Sequence, residues 1–221
     1  MKMEIEKILS KVDHTILKQT AKWEDVKKAV DEAVEYQTAS VCISPNFVKK
    51  ASKYANGRTK ICTVIGFPNG YSTTAVKCFE AADAVKNGAD EIDMVVNLCD
   101  IKDKKFDEIL FEINEIKKSC NGKLLKVIVE TCFLTEEEKI KLCEIVSKSD
   151  ADFIKTSTGF GTAGATADDI KLFSKNIKNG KEIKAAGGIS NIDDAESFIN
   201  LGASRLGTSR IIKQIKDEKN G

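Results

Sequence analysis

The feature that most constrains the fold is a regular alternation of short apolar runs with longer helix-like segments along the 221 residues. Eight runs have the length and composition of buried β-strands. They cover residues 12–17, 40–44, 60–67, 90–96, 124–130, 152–156, 182–186 and 204–208. Two of the segments between them open with helix-capping patterns, TEEE at Thr135 and TADD at Thr166. The alternation predicts parallel βα units.

Eight such units predict a closed (β/α)8 TIM barrel, one domain spanning residues 1–221, with an open doubly wound sheet as the alternative. The polar residues favour the barrel. Ile92 and Met94 share one face of their strand, and Glu91 and Asp93 take the other. Three later strands repeat this pattern with Lys126, Lys155 and Lys184. An open sheet covered on both faces would be apolar on both, whereas a barrel can turn a charged face inward.

Composition and charge exclude several classes of protein. The net charge is +1, with 42% hydrophobic and 31% charged residues, which does not suggest a nucleic-acid or membrane partner. Seven cysteines without a C-x-x-C pair, together with one histidine, argue against a zinc site and a disulfide scaffold. Dispersed reduced thiols and the lack of a signal-like or membrane-spanning apolar run lead us to expect a cytoplasmic protein.

The charged face of the strands is the candidate for chemistry. It brings Asp93, Lys126, Glu130, Lys155 and Lys184 to one interior. A salt-bridge network that stabilises the barrel is the alternative. We favour function, because burial and like charge would lower the pKa of neighbouring lysines. A neutral lysine amine can attack a carbonyl, and a nearby carboxylate can move protons.

Three loops rich in small residues follow the last three predicted strands: STGFGTAGAT, AAGGIS and LGTSR. Small residues expose backbone N–H groups, and the following helices add their positive ends, so we expect these loops to hold a phosphate. Simple tight turns are the alternative. The stretch GFGTAG at 159–164 also matches a dinucleotide fingerprint, but the next strand ends KAAGG without the acid that a dinucleotide site needs.

At these residues the sequence resembles the deoxyribose-phosphate aldolases, a family of class I (Schiff-base) aldolases with a TIM-barrel fold. The resemblance runs over nearly the whole chain. Its motifs are VDHTILK near the start, VCISP at 41–45, EIDMVVN at 91–97, LLKVIVET at 124–131, FIKTSTGF at 153–160, KAAGGI at 184–189 and RLGTSR at 205–210.

The resemblance implies roles for particular residues. Lys155 matches the Schiff-base lysine, Lys184 the second lysine and Asp93 the acidic partner in proton transfer. The residues expected to bind the sugar phosphate are Gly159, Gly187, Gly188, Gly207, Thr208 and Ser209. The residues expected to line the site are Cys42, Lys126 and Glu130. His14 is expected to have a hydrogen-bonded structural role.

The implied reaction is the reversible cleavage of 2-deoxy-D-ribose 5-phosphate to D-glyceraldehyde 3-phosphate and acetaldehyde, in deoxyribose catabolism. An iminium serves as the electron sink, so no metal and no cofactor are expected. The protein is expected to form a homo-oligomer, either a dimer or a tetramer. Some family members end in a tyrosine that assists proton transfer, whereas this chain ends KDEKNG. Two other functions remain open: another phosphate-binding barrel enzyme, and a non-catalytic sugar-phosphate binder.

Overall fold

The computed structural model describes residues 3–220, of which Lys219 and Asn220 are described without their side chains. Met1, Lys2 and Gly221 lie outside this part of the chain. Eight parallel strands close into a barrel in chain order, with β8 paired to β1. The strands are β1 Val12–Ile16, β2 Ser40–Ile43, β3 Ile61–Ile65, β4 Glu91–Val95, β5 Leu124–Ile128, β6 Phe153–Lys155, β7 Glu182–Ala186 and β8 Arg205–Thr208. The predicted (β/α)8 barrel is confirmed, and the open sheet is wrong.

Helices connect the strands and surround the barrel. They are α1 Ile5–Leu9, α2 Trp23–Glu35, α3 Val48–Ala55, α4 Thr74–Lys86, α5 Leu98–Lys102, α6 Phe106–Ser119, α7 Glu136–Lys148, α8 Ala167–Asn176, α9 Ile192–Asn200 and α10 Ile211–Asn220. The five-residue helices α1 and α5 were not predicted, because one turn of helix is too short to show a clear period. Short 3-10 helices follow β2 and β5 at Pro45–Phe47 and Thr131–Phe133.

Two helix starts follow the predicted capping patterns. The Thr135 hydroxyl accepts a hydrogen bond from the Glu138 backbone N–H, and the Glu138 carboxylate accepts one from the Thr135 backbone N–H. The hydroxyl of Thr166 accepts from the backbone N–H of Asp169. Each cap satisfies backbone donors that the first helical turn leaves without partners.

The strand residues divide between two environments, as their alternation predicts. The outward residues pack against the helices in one apolar core, whose strand members include Ile92, Met94, Val127, Ile154 and Ile183. The inward residues on the same strands include the buried charged residues Glu91, Asp93, Lys126, Lys155 and Lys184. Hydrophobic burial therefore stabilises the barrel from outside, and the polar chemistry is confined to its interior.

The only histidine lies outside this interior. His14 Nε2 lies 2.8 Å from Glu32 Oε2 of α2, so His14 has a hydrogen-bonded role between strand and helix. In the part of the chain from residue 3 to residue 220, no helix is both long enough and apolar enough to cross a membrane.

Candidate active site

Four neighbouring strands position the candidate residues in the barrel interior. Asp93 of β4 pairs in register with Lys126 of β5, and Lys155 of β6 pairs with Lys184 of β7. All four side chains point inward, and Lys155 is the most exposed of them at only 3%. The predicted residues are therefore brought together. Charges buried this deeply must find partners, because they have lost the hydration that stabilised them.

The carboxylate of Asp93 is the centre of the cluster, and its two oxygens have different partners. Oδ2 accepts hydrogen bonds from Lys155 Nζ at 2.7 Å and from Lys184 Nζ at 2.6 Å. Oδ1 accepts from Lys126 Nζ at 2.8 Å and lies 3.3 Å from the Cys62 thiol. One carboxylate thus touches both lysines of the predicted chemistry on the same oxygen.

A deeper layer of charge lies beneath this cluster, and sequence reasoning did not single it out. Asp13 of β1 accepts hydrogen bonds from Lys184 and, at 2.7 Å, from Arg205 of β8. Arg205 also binds Glu91 at 2.8 Å, and Glu91 lies 2.7 Å from Lys126 Nζ. The signal for Asp13 was available, because it alternates with Val12 and His14 in its strand.

Electrostatics keep the buried carboxylates ionised. Burial alone raises the pKa of Asp93, but Lys126, Lys155 and Lys184 outweigh burial and hold that pKa well below its usual range. Burial raises the pKa of Asp13 as well. There Lys184, Lys126 and Arg205 reverse the shift and lower it. Both groups are carboxylates over the physiological pH range, so they are hydrogen-bond acceptors.

The sequence-based expectation of lowered lysine pKa values is wrong for two of the lysines. Burial lowers the pKa of Lys184, but Asp13 and Asp93 outweigh burial and raise it above the usual value. Burial also lowers the pKa of Lys126, where Asp93 and the other acidic groups around it reverse the shift. The expectation counted the lysines and one carboxylate, and it overlooked the acids of the deeper layer.

Two thiols lie beside Asp93. Cys42 of β2 is in register with Cys62 of β3, and both are fully buried. The hydrogen bond from the Cys62 thiol lowers the pKa of Cys42, whereas burial raises the pKa of Cys62 well above its usual range. The sulfurs and one Asp93 oxygen lie within 4.8 Å of one another. Because ammonium groups touch this carboxylate, the set is a poor site for a metal cation.

A cavity lined by both apolar and polar residues lies near these thiols. It has a volume of 360 Å³ and lies where the loops after β1, β2, β3 and β6 converge. Phe67 and Phe160 form part of its wall and meet edge to face, with ring centroids 5.3 Å apart. Leu17 and Val64 line it as well and pack with Cys42 and Cys62 in one small cluster.

The glycine loops after β6 and β7 pack on each other. Gly159, Gly187 and Gly188 have φ values of 84°, 78° and 76°, a region that favours glycine. A Cβ on Gly164 would lie 2.3 Å from the carbonyl carbon of Gly187, so the loops touch backbone to backbone. They form one surface at the carboxyl ends of the strands, where barrel enzymes have their sites.

Hydrogen bonds tie the loops after β7 and β8 together. The Thr208 hydroxyl donates to the Ile189 carbonyl and accepts from the Arg210 backbone N–H. Arg210 Nη1 lies 3.1 Å from Ser190 Oγ. Ser209 is exposed beside them, at the start of α10. Arg210 was not predicted as a site residue, although it stands within the RLGTSR motif and adds a cation to this surface.

Gly207 has a different setting from the other predicted phosphate residues. It lies within β8, and a Cβ there would come 3.0 Å from the Ala186 Cβ and 3.2 Å from the Lys184 Cε. The missing side chain therefore leaves room for Lys184. Glu130 lies just after β5, and its carboxylate binds Thr158 in the loop that follows Lys155. The phosphate-binding roles remain predictions.

Together the fold and the site define a class of protein. An eight-stranded parallel barrel whose carboxyl ends converge on a buried lysine–carboxylate cluster, beneath glycine loops, is the architecture of a barrel aldolase. Comparison with known proteins places the chain within that class. The model of the DeoC/LacD family of aldolases matches residues 7–208, and the chain belongs to this family.

Individual relatives agree with the family. A deoxyribose-phosphate aldolase of Clostridioides difficile is 62% identical over 211 residues, covering 96% of each chain. One of Streptococcus agalactiae is 60% identical over 217 residues, covering 98% of this chain and 97% of the other. The tetrameric deoxyribose phosphate aldolase of Aeropyrum pernix superposes with a TM-score of 0.89 at 31% identity, covering 97% of this chain and 93% of that one. The predicted family resemblance is confirmed.

Proposed function

We propose that the chain reversibly cleaves 2-deoxy-D-ribose 5-phosphate to D-glyceraldehyde 3-phosphate and acetaldehyde through an imine on Lys155, in deoxyribose catabolism. The observation that carries the proposal is the Asp93 Oδ2 atom, which Lys155 and Lys184 share within 2.7 Å. The names of the relatives at 60–62% identity support the substrate.

Charge balance supports Lys155 as the nucleophile. The interior contains four cations, Lys126, Lys155, Lys184 and Arg205, against three carboxylates, Asp13, Glu91 and Asp93. The basic side chains therefore exceed the carboxylates by one. Lys155 also contacts one carboxylate, whereas Lys184 contacts two. A neutral amine is the form that attacks a carbonyl.

In the cleavage direction, the Lys155 amine adds to the C1 aldehyde of the open-chain sugar, and loss of water gives a protonated imine. Removal of the proton from the C3 hydroxyl then breaks the C2–C3 bond. Its electron pair moves into the imine to give an enamine, and the three-carbon aldehyde phosphate departs. Protonation of the enamine carbon and hydrolysis release acetaldehyde. Asp93 and Lys184 exchange these protons, because the Asp93 Oδ2 atom contacts the side-chain nitrogens of both Lys155 and Lys184.

The phosphate is assigned to the loops at the carboxyl ends of β6, β7 and β8. Gly159, Gly187, Gly188 and Ser209 offer backbone N–H groups at this surface, and α9 and α10 begin beside them. Thr208 holds two of the loops together. Ser157 Oγ lies just beneath, buried and without a hydrogen-bond partner among residues 3–220, which suits a residue that awaits a ligand.

We also propose that the chain works in the cytoplasm as a homo-oligomer, a dimer or a tetramer. The tetrameric Aeropyrum pernix aldolase supports this assembly, and light scattering of the purified chain tests it.

Product analysis tests the reaction itself. Purified chain given 2-deoxy-D-ribose 5-phosphate is expected to release acetaldehyde and D-glyceraldehyde 3-phosphate in equal amounts, and added chelator is expected to leave the rate unchanged. Binding of the sugar phosphate without release of either aldehyde would instead favour a non-catalytic binder.

A further inference from the structure

Glu130 is a buried carboxylate that the proposed chemistry does not use. It is 2% exposed, and its oxygens lie 3.1 and 3.3 Å from the backbone nitrogen of Thr158. The Thr158 hydroxyl also donates to the carboxylate. That hydroxyl in turn accepts a hydrogen bond from the Phe160 backbone N–H at 3.0 Å. One carboxylate therefore holds the loop of residues 158–161, here named the Thr158 loop, which begins three residues after Lys155.

The backbone of Glu130 is held in an unfavourable conformation. Its φ and ψ are 55° and 67°, in the left-handed region that residues with a Cβ adopt at a cost. Hydrogen bonds on both sides impose this conformation: Val129 N–H donates to the Lys155 carbonyl, and Thr131 N–H donates to the Thr156 carbonyl. Strained residues of this kind persist where the surroundings fix them, and they cluster at functional sites.

The Thr158 loop lies directly on this carboxylate. A Cβ on Gly161 would come 2.8 Å from Cys132 Sγ, 3.2 Å from Glu130 Cδ and 3.3 Å from Glu130 Oε1. Gly159, one of the predicted phosphate residues, lies between the two points of contact at Thr158 and Gly161. The side chain of Glu130 thus contacts the Thr158 loop. The backbone N–H groups of the residues before and after Glu130 donate to the carbonyls of Lys155 and Thr156.

Resting on the proposed function, we propose that Glu130 is a positioning residue that fixes the Thr158 loop for the substrate's phosphate at a set distance from Lys155. The carboxylate turns its charge toward the Thr158 N–H and O–H groups. Gly159 is then free to present its backbone to the anion. The alternative is that Glu130 only stabilises the fold. The two hypotheses predict different effects on phosphorylated and unphosphorylated substrates when Glu130 is changed.

The decisive experiment compares a phosphorylated with an unphosphorylated substrate. In Glu130→Ala, the KM for 2-deoxy-D-ribose 5-phosphate is expected to rise about tenfold or more, because the loop loses charge-assisted hydrogen bonds. The kcat/KM for unphosphorylated 2-deoxy-D-ribose is expected to stay near that of the parent chain. A residue that merely stabilises the fold would alter both substrates together, or neither.

Further variants distinguish the effect of the Glu130 carboxylate from the effects of the Glu130 backbone conformation and of the Thr158 hydroxyl. Glu130→Gly removes the carboxylate and also the backbone strain, so it should fold well and still show the raised KM. Glu130→Gln keeps one acceptor oxygen and is expected to recover part of the affinity. Thr158→Val removes the hydroxyl from the other end, and combined with Glu130→Ala it should add little further loss.

A control and an independent readout complete the test. Glu112→Gln alters a buried carboxylate that pairs with Lys77 outside the barrel, so it should reduce stability without distinguishing the two substrates. Acetaldehyde carries no phosphate, so borohydride trapping at Lys155 should be unchanged in Glu130→Ala. If the parent chain does not trap, the proposed function fails. If it traps and Glu130→Ala impairs both sugars equally or neither, the positioning role is overturned.

Discussion

The side-chain nitrogen of Lys184 lies 2.6 Å from Asp93 Oδ2, the same oxygen that Lys155 contacts. In the proposed mechanism, this arrangement gives a proton that leaves either nitrogen an acceptor within hydrogen-bonding distance. It also supports the proposed division of roles between the two lysines. Lys184 is bound on two sides by Asp13 and Asp93, whereas Lys155 faces the mouth of the barrel with one carboxylate partner.

Replacing Lys184 tests this division. Lys184→Met is expected to lower kcat about 10²- to 10⁴-fold, because proton transfer loses a partner. It should also cost about 3–5 kcal/mol of unfolding free energy, since Asp13 and Asp93 lose a buried countercharge. Steady-state kinetics and urea unfolding measure the two effects.

Lys77→Met is the matched control for Lys184→Met. Lys77 is also fully buried and pairs with Glu112 at 2.8 Å, but outside the barrel interior. It is expected to lose stability while the folded fraction keeps its kcat. A Lys184→Met chain with the kcat of the parent would remove Lys184 from the proton path.

Replacing Asp93 is expected to lower kcat more than replacing Asp13. Asp93→Asn removes the acceptor that Lys155 and Lys184 share and should lower kcat about 10²-fold or more. Asp13→Asn touches Lys184 and Arg205 but not Lys155, so its effect on kcat should be smaller. Kinetics of both variants at one pH make the comparison. Equal losses would show that the buried network acts as a unit and that contact with Lys155 is not what matters.

Gly207→Ala tests whether the last strand makes room for Lys184. The added Cβ would stand 3.2 Å from Lys184 Cε and 3.0 Å from the Ala186 Cβ, so the lysine must shift. A shift of this kind is expected to lower kcat more than it raises KM, because the proton path changes while the phosphate loops do not. A raised KM with unchanged kcat would assign Gly207 to phosphate binding instead.

Stability should depend on pH through Glu32. The hydrogen bond from His14 is the largest cause that lowers the pKa of Glu32, from 4.5 to about 2. A carboxylate whose pKa is lowered on folding stabilises the fold at pH values above its pKa in the unfolded state. This stabilisation is lost as the pH falls from about 4.5 toward 2. Glu32→Gln should therefore cost about 1–2 kcal/mol at pH 7, and the difference from the parent should shrink below pH 4.5. Urea unfolding at pH 7 and pH 3 compares them, and a constant difference would contradict the assignment.

The fold could be predicted from the sequence because each strand carries its own two-residue period. The same period placed Asp93, Lys126, Lys155 and Lys184 on one inner face, which the register of the strands confirms. Loop composition located the small-residue surface at the carboxyl ends. These are local signals, and they remain valid in the closed barrel because each strand keeps its own inward and outward faces.

What the sequence could not provide depends on contacts across the barrel. Asp13 and Arg205 are 192 residues apart and meet because β8 closes against β1. The sign of the Lys184 pKa shift depends on that closure, and the expectation was wrong because it left Asp13 out. The left-handed backbone of Glu130 arises from hydrogen bonds to the neighbouring strand. The residue type at this position does not predict that conformation.

The most direct test of the account is borohydride reduction with acetaldehyde, followed by peptide mass mapping. Reduction converts an imine into a stable ethyl group on the amine that formed it. We expect one ethyl adduct on Lys155, lost in Lys155→Ala while that variant still binds the sugar phosphate. An adduct mainly on Lys184 would exchange the roles of the two lysines. No adduct, with sugar-phosphate binding intact, would contradict the imine mechanism.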